Sequence, residues 1–251
     1  MSSSTEIEWT EMTWNPVTGC DRVSPGCDHC YAQTLAKRLK AMGNPRYQRD
    51  GRARTSGPGF GVTMHSDKLQ EPMRRTKPTV FFVNSMSDLF HASITTAFID
   101  RVFDVMEATP QHTYQVLTKR PRRMAAYSTR RPAPPNVWLG TSVENQEWAE
   151  KRLPLLVEVT ARVRFVSCEP LLGPIDLSRW IGKLSWVIVG GESGPRFREM
   201  NPDWARSLRD HCAVAGVPYF FKQWGGRTPK AGGRTLDGRV WDEMPRLESA
   251  G

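Results

Sequence analysis

The sequence predicts an α/β chain folded as a TIM-type barrel, either a full (β/α)8 ring or a partial (β/α)6 barrel open on one side. Three observations predict it. Short β-branched or aromatic runs recur along the chain, helix-like stretches separate them, and the runs end in polar residues. Strands alternating with helices imply parallel pairing through right-handed crossovers. A doubly wound open sheet is the rival arrangement.

In chain order, "EMTWNPV" (11–17) is a candidate first strand, and a loop at 18–31 follows it. "YAQTLAKRLKAM" reads as a helix leaving that loop. Residues 43–60, "GNPRYQRDGRARTSGPGF", are rich in Gly, Pro and Arg and read as an exposed basic loop. Further strands are expected at "GVTMH" (61–65), "TVFFVNS" (79–85), "TYQVLT" (113–118), "NVWLGTS" (136–142), "VRFVSCEP" (163–170), "SWVIVGGE" (185–192) and "PYFFKQW" (218–224). Between them, "ITTAFIDRVFDVMEAT" (94–109) places Ile94, Phe98, Val102 and Val105 or Met106 on one helical face. "NQEWAEKRLPLLVEV" (145–159) is helical in pattern but interrupted by Pro154. "NPDWARSLRDHCAVAG" (201–216) opens on an Asn-Pro cap and stops at Gly216. One barrel domain over 1–225 is therefore expected, with 226–251 a hairpin or tail marked by turns at Gly232-Gly233 and Asp237-Gly238.

The 251 residues suffice for a large core, and no run approaches the ~18 apolar residues of a membrane span. The N-terminus lacks the basic start and apolar centre of a secretory signal, so a cytoplasmic protein without a membrane partner is expected. Five cysteines, an odd number, argue for reduced thiols over a disulfide framework. The formal charge is +9, with arginines clustered at 46–54, 120–123 and 130–131, which suits a phosphate-bearing partner.

In a parallel barrel the strand C-termini converge on the face where ligands bind. The ends here carry Asn84, Ser85, Ser87 and Asp88; Thr118, Lys119 and Arg120; Ser142, Glu144 and Asn145; Ser167, Cys168 and Glu169; Glu192 and Ser193; Lys222, Gln223 and Trp224. These are the candidate site residues.

Cys20, Cys27 and Cys30 fall within eleven positions, spaced C-x6-C-x2-C. Thiolates suit zinc or iron–sulfur centres. Structural zinc asks for four protein ligands; His29 fits by type but, lying between Cys27 and Cys30, would have to fold back, so His65 or Cys168 would be needed instead. A [4Fe–4S] cluster held by three cysteines would keep one iron open to a small molecule. Gly19, Pro25 and Gly26 supply the turns a loop needs around a cluster, and a helix start beyond Cys30 favours its negative charge. Cys212 reads as a core residue of a helix.

A loop after the first strand with three cysteines, the last two as C-x2-C before Tyr31, resembles the radical S-adenosylmethionine superfamily, whose usual first gap is shorter. "TWNPVTGC", "VSPGCDHCYA", "VNSMSDLFH", "VGGESGP" and "FFKQWG" resemble a three-Cys-motif family of phage and bacterial genomes over nearly the whole chain. The resemblance implies that Cys20, Cys27 and Cys30 ligate three irons of a [4Fe–4S] cluster and that S-adenosylmethionine chelates the fourth. Reductive cleavage would then yield a 5′-deoxyadenosyl radical, with an external donor such as flavodoxin or ferredoxin supplying the electron. The superfamily's Gly-Gly-Glu after the second strand has no positional match, since Gly190-Gly191-Glu192 follows the seventh expected strand. Asn84, Ser85 and Asp88 are instead the candidates for the methionyl amine. Thr118 shares that cofactor face, Lys119 or Arg120 would pair with the carboxylate, and Ser142, Glu144 and Asn145 would hold the ribose. Glu169, Glu192, Cys168 and Lys222 are candidate catalytic groups.

The basic loop, "TKRPRRM" (118–124) and the aromatics Phe90, Trp138 and Trp224 point to a nucleic-acid or nucleotide substrate, with barrel packing the bland role of those rings. A peptide or protein substrate, or a non-catalytic zinc-stabilised nucleic-acid-binding module, are the alternatives.

Overall fold

The computed structural model describes residues 3–246. Among them, seven strands pair in parallel and in simple sequence order: β1 (Met12–Trp14), β2 (Val80–Val83), β3 (Thr113–Thr118), β4 (Val137–Ser142), β5 (Val163–Cys168), β6 (Trp186–Gly190) and β7 (Tyr219–Gln223). Ser3–Ser4 adds antiparallel to the outer edge of β1. The order never reverses, which excludes the doubly wound sheet, and β1 and β7 are not paired with each other. The result is a curled half-barrel of seven strands, between the six and the eight expected.

The segment at 61–65 is the strand that does not join. Only Thr63–Met64 is extended, and it pairs antiparallel with Val17–Thr18 in a separate ribbon. Its side chains are exposed or half-buried, whereas the barrel strands are buried nearly throughout. Gly190-Gly191-Glu192 therefore follows the sixth parallel strand, not the seventh.

Five α-helices occur among the described residues: α1 (Tyr31–Ala41), α2 (Thr96–Glu107), α3 (Pro121–Arg130), α4 (Gln146–Val157) and α5 (Pro202–Ala215). Thr95 caps α2 by accepting from the Phe98 amide at 3.2 Å, and the helix buries Phe98, Ile99, Val102, Phe103, Val105 and Met106. Pro154 stays inside α4 because it lies on the solvent face, where the carbonyl left unpaired by its missing N–H meets water. Gly216 ends α5 at φ 66°, a left-handed cap that glycine takes without strain. Helix α3 went unread in the sequence because its apolar positions are few; Pro121 sets its first turn. No helix among the described residues is long and apolar enough to cross a membrane.

Strand alternation sorts two cores. Phe81, Tyr114, Leu139, Val166, Val187 and Phe221 face the helices. Phe82, Trp138, Phe165, Trp186, Ile188 and Phe220 face the concave side with Trp9 and fill its lower half. Trp138 meets Trp186 edge-on at 5.8 Å, and Trp9 meets Phe82 at 4.6 Å. Gly140 has no side chain because the Phe165 ring occupies the space, 2.6 Å from where a Cβ would stand. Above this aromatic floor the concave face turns polar, with Ser142, Ser167 and Lys222.

Beyond β7, Thr235–Leu236 and Arg239–Val240 form a hairpin around Asp237-Gly238. The chain then lies along the free edge of β7, where the Phe221 amide donates to the Trp241 carbonyl at 2.8 Å and the Glu243 amide donates to the Tyr219 carbonyl at 3.3 Å.

Candidate metal centre and substrate cavity

The loop from Gly19 to Cys30 lies across the strand ends, and the segments after four of the strands hold it by polar contacts. At β2, Gly19 bridges Ser87 and its amide donates to the Met86 carbonyl at 3.0 Å. Gly19 sits at φ 85°, and a Cβ there would stand 2.3 Å from the Gly61 carbonyl oxygen, so only glycine lets the loop close on 43–62. At β3, Arg120 Nη1 donates to Cys20 Sγ at 3.3 Å and Nη2 to the Asp21 carbonyl at 3.1 Å. At β4, Ser24 Oγ donates to Glu144 Oε1 at 2.7 Å, and Gly26 lies so close to that carboxylate that a Cβ would stand 2.5 Å from it. At β6, His29 Nδ1 meets Glu192 Oε2 at 2.9 Å, and Arg198 Nη2 donates to the Pro25 carbonyl at 2.9 Å.

Cys20, Cys27 and Cys30 are free, half-buried thiols on the wall of a cavity of about 680 Å³ at this end of the sheet. Ala32, Ala36, Tyr47, Phe60 and Met86 form an apolar cluster against Cys20 and Cys30. Tyr47 and Phe60 come from the loop expected to be wholly exposed; its buried rings cover the cysteines. Burial pushes the Cys20 thiol up to about 12, with Asp88 adding to it and Arg120 opposing. Burial likewise raises Cys30.

None of the residues considered as a fourth zinc ligand joins the cysteines. His29 turns to Glu192, and His65 Nε2 is 2.8 Å from Thr18 Oγ1. Cys168 is fully buried on the helix-facing side of β5, because the alternation that points Ser167 inward points its neighbour out. That placement also takes Cys168 out of the cavity. Among the described residues, no three His, Cys, Asp or Glu side chains are gathered for a single metal ion.

The cavity brings together Asn84, Ser85, Asp88, Thr118, Lys119, Ser142, Glu169, Glu192 and Lys222 from the sequence reading. Several are already engaged. Asp88, 5% exposed, accepts from the Phe90 amide, Thr118 Oγ1, the Lys119 amide and Arg120 Nη1 at 2.7–3.1 Å, so both its oxygens and the Thr118 hydroxyl build the β3–α3 turn. Glu144 and Asn145 do not line the cavity. Glu144 is fully buried and pairs with Arg152 Nη1 at 3.1 Å, while Asn145 caps α4 by accepting from the Trp148 amide at 3.2 Å. Burial raises the Glu192 carboxyl, but bonds from Arg198 and His29 outweigh it and hold it below the usual range. Glu169 is more open, with Lys222 Nζ 3.0 Å from Oε1 and Ser167 Oγ donating to Oε2 at 3.0 Å. Lys119 Nζ lies 4.0 Å from Glu144 Oε1. Asn84, at φ 63° and 2% exposed, accepts from the Val17 amide at 3.3 Å through Oδ1, and its Nδ2 has no partner.

The aromatics considered for stacking on bases pack within the fold, as the barrel-packing reading favoured for Trp138 expects. Phe90 is fully buried, Trp138 lies in the aromatic floor, and Trp224 packs edge-on to Phe221 at 4.8 Å. Of the arginines in 118–124, Arg122 is exposed, while Arg120 and Arg123 turn inward to carbonyls. Sequence reasoning missed Ser24 within the loop, and Arg198 and Arg152, which hold it from distant positions, Arg152 through Glu144; a lone Arg in a loop or helix carries no spacing signal.

The fold is remotely similar to solved structures of spore photoproduct lyase. One variant is 14% identical with a TM-score of 0.48, covering 84% of this chain and 63% of that one. A complex with dinucleoside spore photoproduct is 13% identical with a TM-score of 0.45, and a variant with bound AdoMet and dinucleoside spore photoproduct is 13% identical with a TM-score of 0.46, at the same coverages. The chain thus spans about 63% of the length of those proteins. No curated protein matches it. A family profile described as a protein of unknown function, DUF5131, matches residues 4–245, almost the entire length over which the cysteine loop and the half-barrel are built, and the chain belongs to that family.

Proposed function

We propose that this chain is a radical S-adenosylmethionine-type enzyme in which Cys20, Cys27 and Cys30 hold a [4Fe–4S] cluster, and that it acts on a nucleic acid or nucleotide. The observation that carries this reading is the arrangement of three half-buried thiols from a single loop, on one cavity wall, with His29, His65 and Cys168 all engaged elsewhere. The residues present fit such a group: soft donors, an apolar cover of Tyr47, Phe60 and Met86, and a guanidinium N–H on one sulfur. When bound, the cluster supplies the electron that cleaves S-adenosylmethionine to methionine and a hydrogen-abstracting 5′-deoxyadenosyl radical.

The chain's own part is binding, orientation and proton control. Asn84 Nδ2 and Ser85 at the end of β2 hold the methionyl group, Lys119 pairs with its carboxylate, and Ser142 takes a ribose hydroxyl. Asp88, Thr118, Glu144 and Asn145 hold the frame and are not in this set. Glu169 and Lys222 form the acid–base pair for the substrate, with Glu169 Oε1 receiving or returning a proton. Glu192 is tied to Arg198 and His29 and anchors the loop. The nucleic-acid assignment is supported by the +9 charge.

The test is anaerobic reconstitution with iron and sulfide, followed by dithionite and S-adenosylmethionine. Four irons per chain, broad visible absorbance and release of 5′-deoxyadenosine are expected, and all three vanish in Cys27→Ala. A colourless protein holding one zinc refutes the reading. Oligonucleotide binding is expected to weaken steeply with salt; binding that salt leaves unchanged removes the substrate assignment.

A further inference from the structure

Arg120 is held on Cys20 by more machinery than loop packing requires. Its guanidinium is a planar fork whose donors have fixed relative directions. Nη1 reaches both Asp88 Oδ2 at 2.8 Å and Cys20 Sγ at 3.3 Å, while Nη2 reaches the Asp21 carbonyl at 3.1 Å. Asp88 cannot swing away, because the Phe90 amide, Thr118 Oγ1 and the Lys119 amide fix the same carboxylate. The direction of the N–H on the sulfur is therefore set by the ends of two barrel strands, β2 and β3, and not by the mobile end of a long side chain.

We infer that Arg120, oriented by Asp88, is a positioning residue that raises the electron affinity of the metal–sulfur centre ligated by Cys20. This rests on the iron–sulfur reading above. A cationic donor on a ligand sulfur stabilises whichever oxidation state places more negative charge on that sulfur, and so favours reduction. The step concerned adds one electron, from a low-potential one-electron donor, and neither breaks nor forms a covalent bond. Asp88 has no hydrogen bond to the sulfur; its negative charge acts on Cys20 against the guanidinium it holds, and the direct N–H donation to Sγ is what Arg120 adds.

The experiment is a dye-mediated anaerobic redox titration of the reconstituted protein, followed by electron paramagnetic resonance of the reduced state. Arg120→Met keeps the length of the side chain but removes its charge and donors, and is expected to move the midpoint potential to more negative values at unchanged iron and sulfide content. Arg120→Lys, which keeps the charge with a poorer fit, is expected to shift it in the same direction by less. Arg122→Met removes an equal charge from the exposed face of α3, two residues along the chain, and is expected to leave the midpoint in place. A midpoint unchanged in Arg120→Met overturns the inference, as does an equal shift in Arg122→Met, which would make net charge the cause. Should Arg120→Met load no iron, Arg120→Lys carries the comparison, and an unshifted midpoint there overturns it too. A wild-type protein that takes up no iron and sulfide defeats the iron–sulfur reading itself, an outcome distinct from a cluster whose potential ignores Arg120.

Discussion

Glu144→Gln tests the claim that the cysteine loop is pinned from below by a buried charge. Glu144 is fully buried and Arg152 is 2% exposed. Arg152 Nη1 reaches Glu144 Oε2 at 3.1 Å and the Ser142 carbonyl at 2.7 Å, and the guanidinium lies over the Trp148 ring at 4.2 Å. Burial lowers the Arg152 guanidinium from its usual range, with Glu144 opposing, and its Nη2 has no partner. The cation therefore depends on this one carboxylate. Breaking a buried pair by neutralising one member costs about 3–5 kcal/mol. For a chain of this length each kcal/mol moves the melting temperature by roughly 2–4 °C, so Glu144→Gln is expected to lower it by about 10 °C. Thermal unfolding of the metal-free protein by circular dichroism at pH 7 measures it. Replacing both partners together, Glu144→Leu with Arg152→Met, is expected to be less damaging than Glu144→Gln alone, because no uncompensated charge remains. A Glu144→Gln protein within about 1 kcal/mol of wild type would refute the reasoning, since a loss that small belongs to a solvated pair.

Gly140→Ala places a methyl 2.6 Å from the Phe165 ring and is expected to cost about 1–3 kcal/mol by overpacking, read in urea unfolding. Cys168→Ala is expected to leave iron loading intact, whereas Cys30→Ala abolishes it; iron analysis after reconstitution separates them. Burial raises the Asp21 carboxyl, but bonds from Ser56, Thr55 and His91 outweigh it and hold it at about 2. A carboxyl depressed by folding stabilises the protein above its unfolded value, about 4, and that contribution fades as pH falls toward the folded value. Asp21→Asn is therefore expected to flatten the stability profile between those two values, and denaturant unfolding at pH 2 to 6 that kept the wild-type slope would contradict it.

How much of this was legible follows from what sets each element. The barrel strands were visible because they are buried on both faces, so that "TYQVLT" and "SWVIVGGE" read as near-continuous apolar runs. "GVTMH" has the same composition but belongs to a short surface ribbon, and composition alone cannot tell pairing partners apart. Helix α3 was hidden by its arginines, one of which, Arg123, bonds inward to the His91 and Ile94 carbonyls and so occupies a core-side position while looking like surface charge. The cysteine loop was legible because its spacing is local. The roles of Asp88, Glu144 and Asn145 were not, since a polar residue at a strand end looks the same whether it faces a ligand, pairs with a distant arginine or caps the next helix. Trp138 and Phe90 were ambiguous for a related reason: a ring that stacks on a base and a ring that fills a barrel floor are the same residue type.

A ring of strands has no rim, but this half-ring has two, and the chain's own tail occupies one of them. With Trp241 and Glu243 laid along Tyr219–Gln223, the Phe221 amide and the Tyr219 carbonyl of that rim are paired within the molecule. Removal of the residues after 225 would bare a buried-type strand, "YFFKQ", as a template for another copy, so the first symptom of such a truncation is self-association and not unfolding.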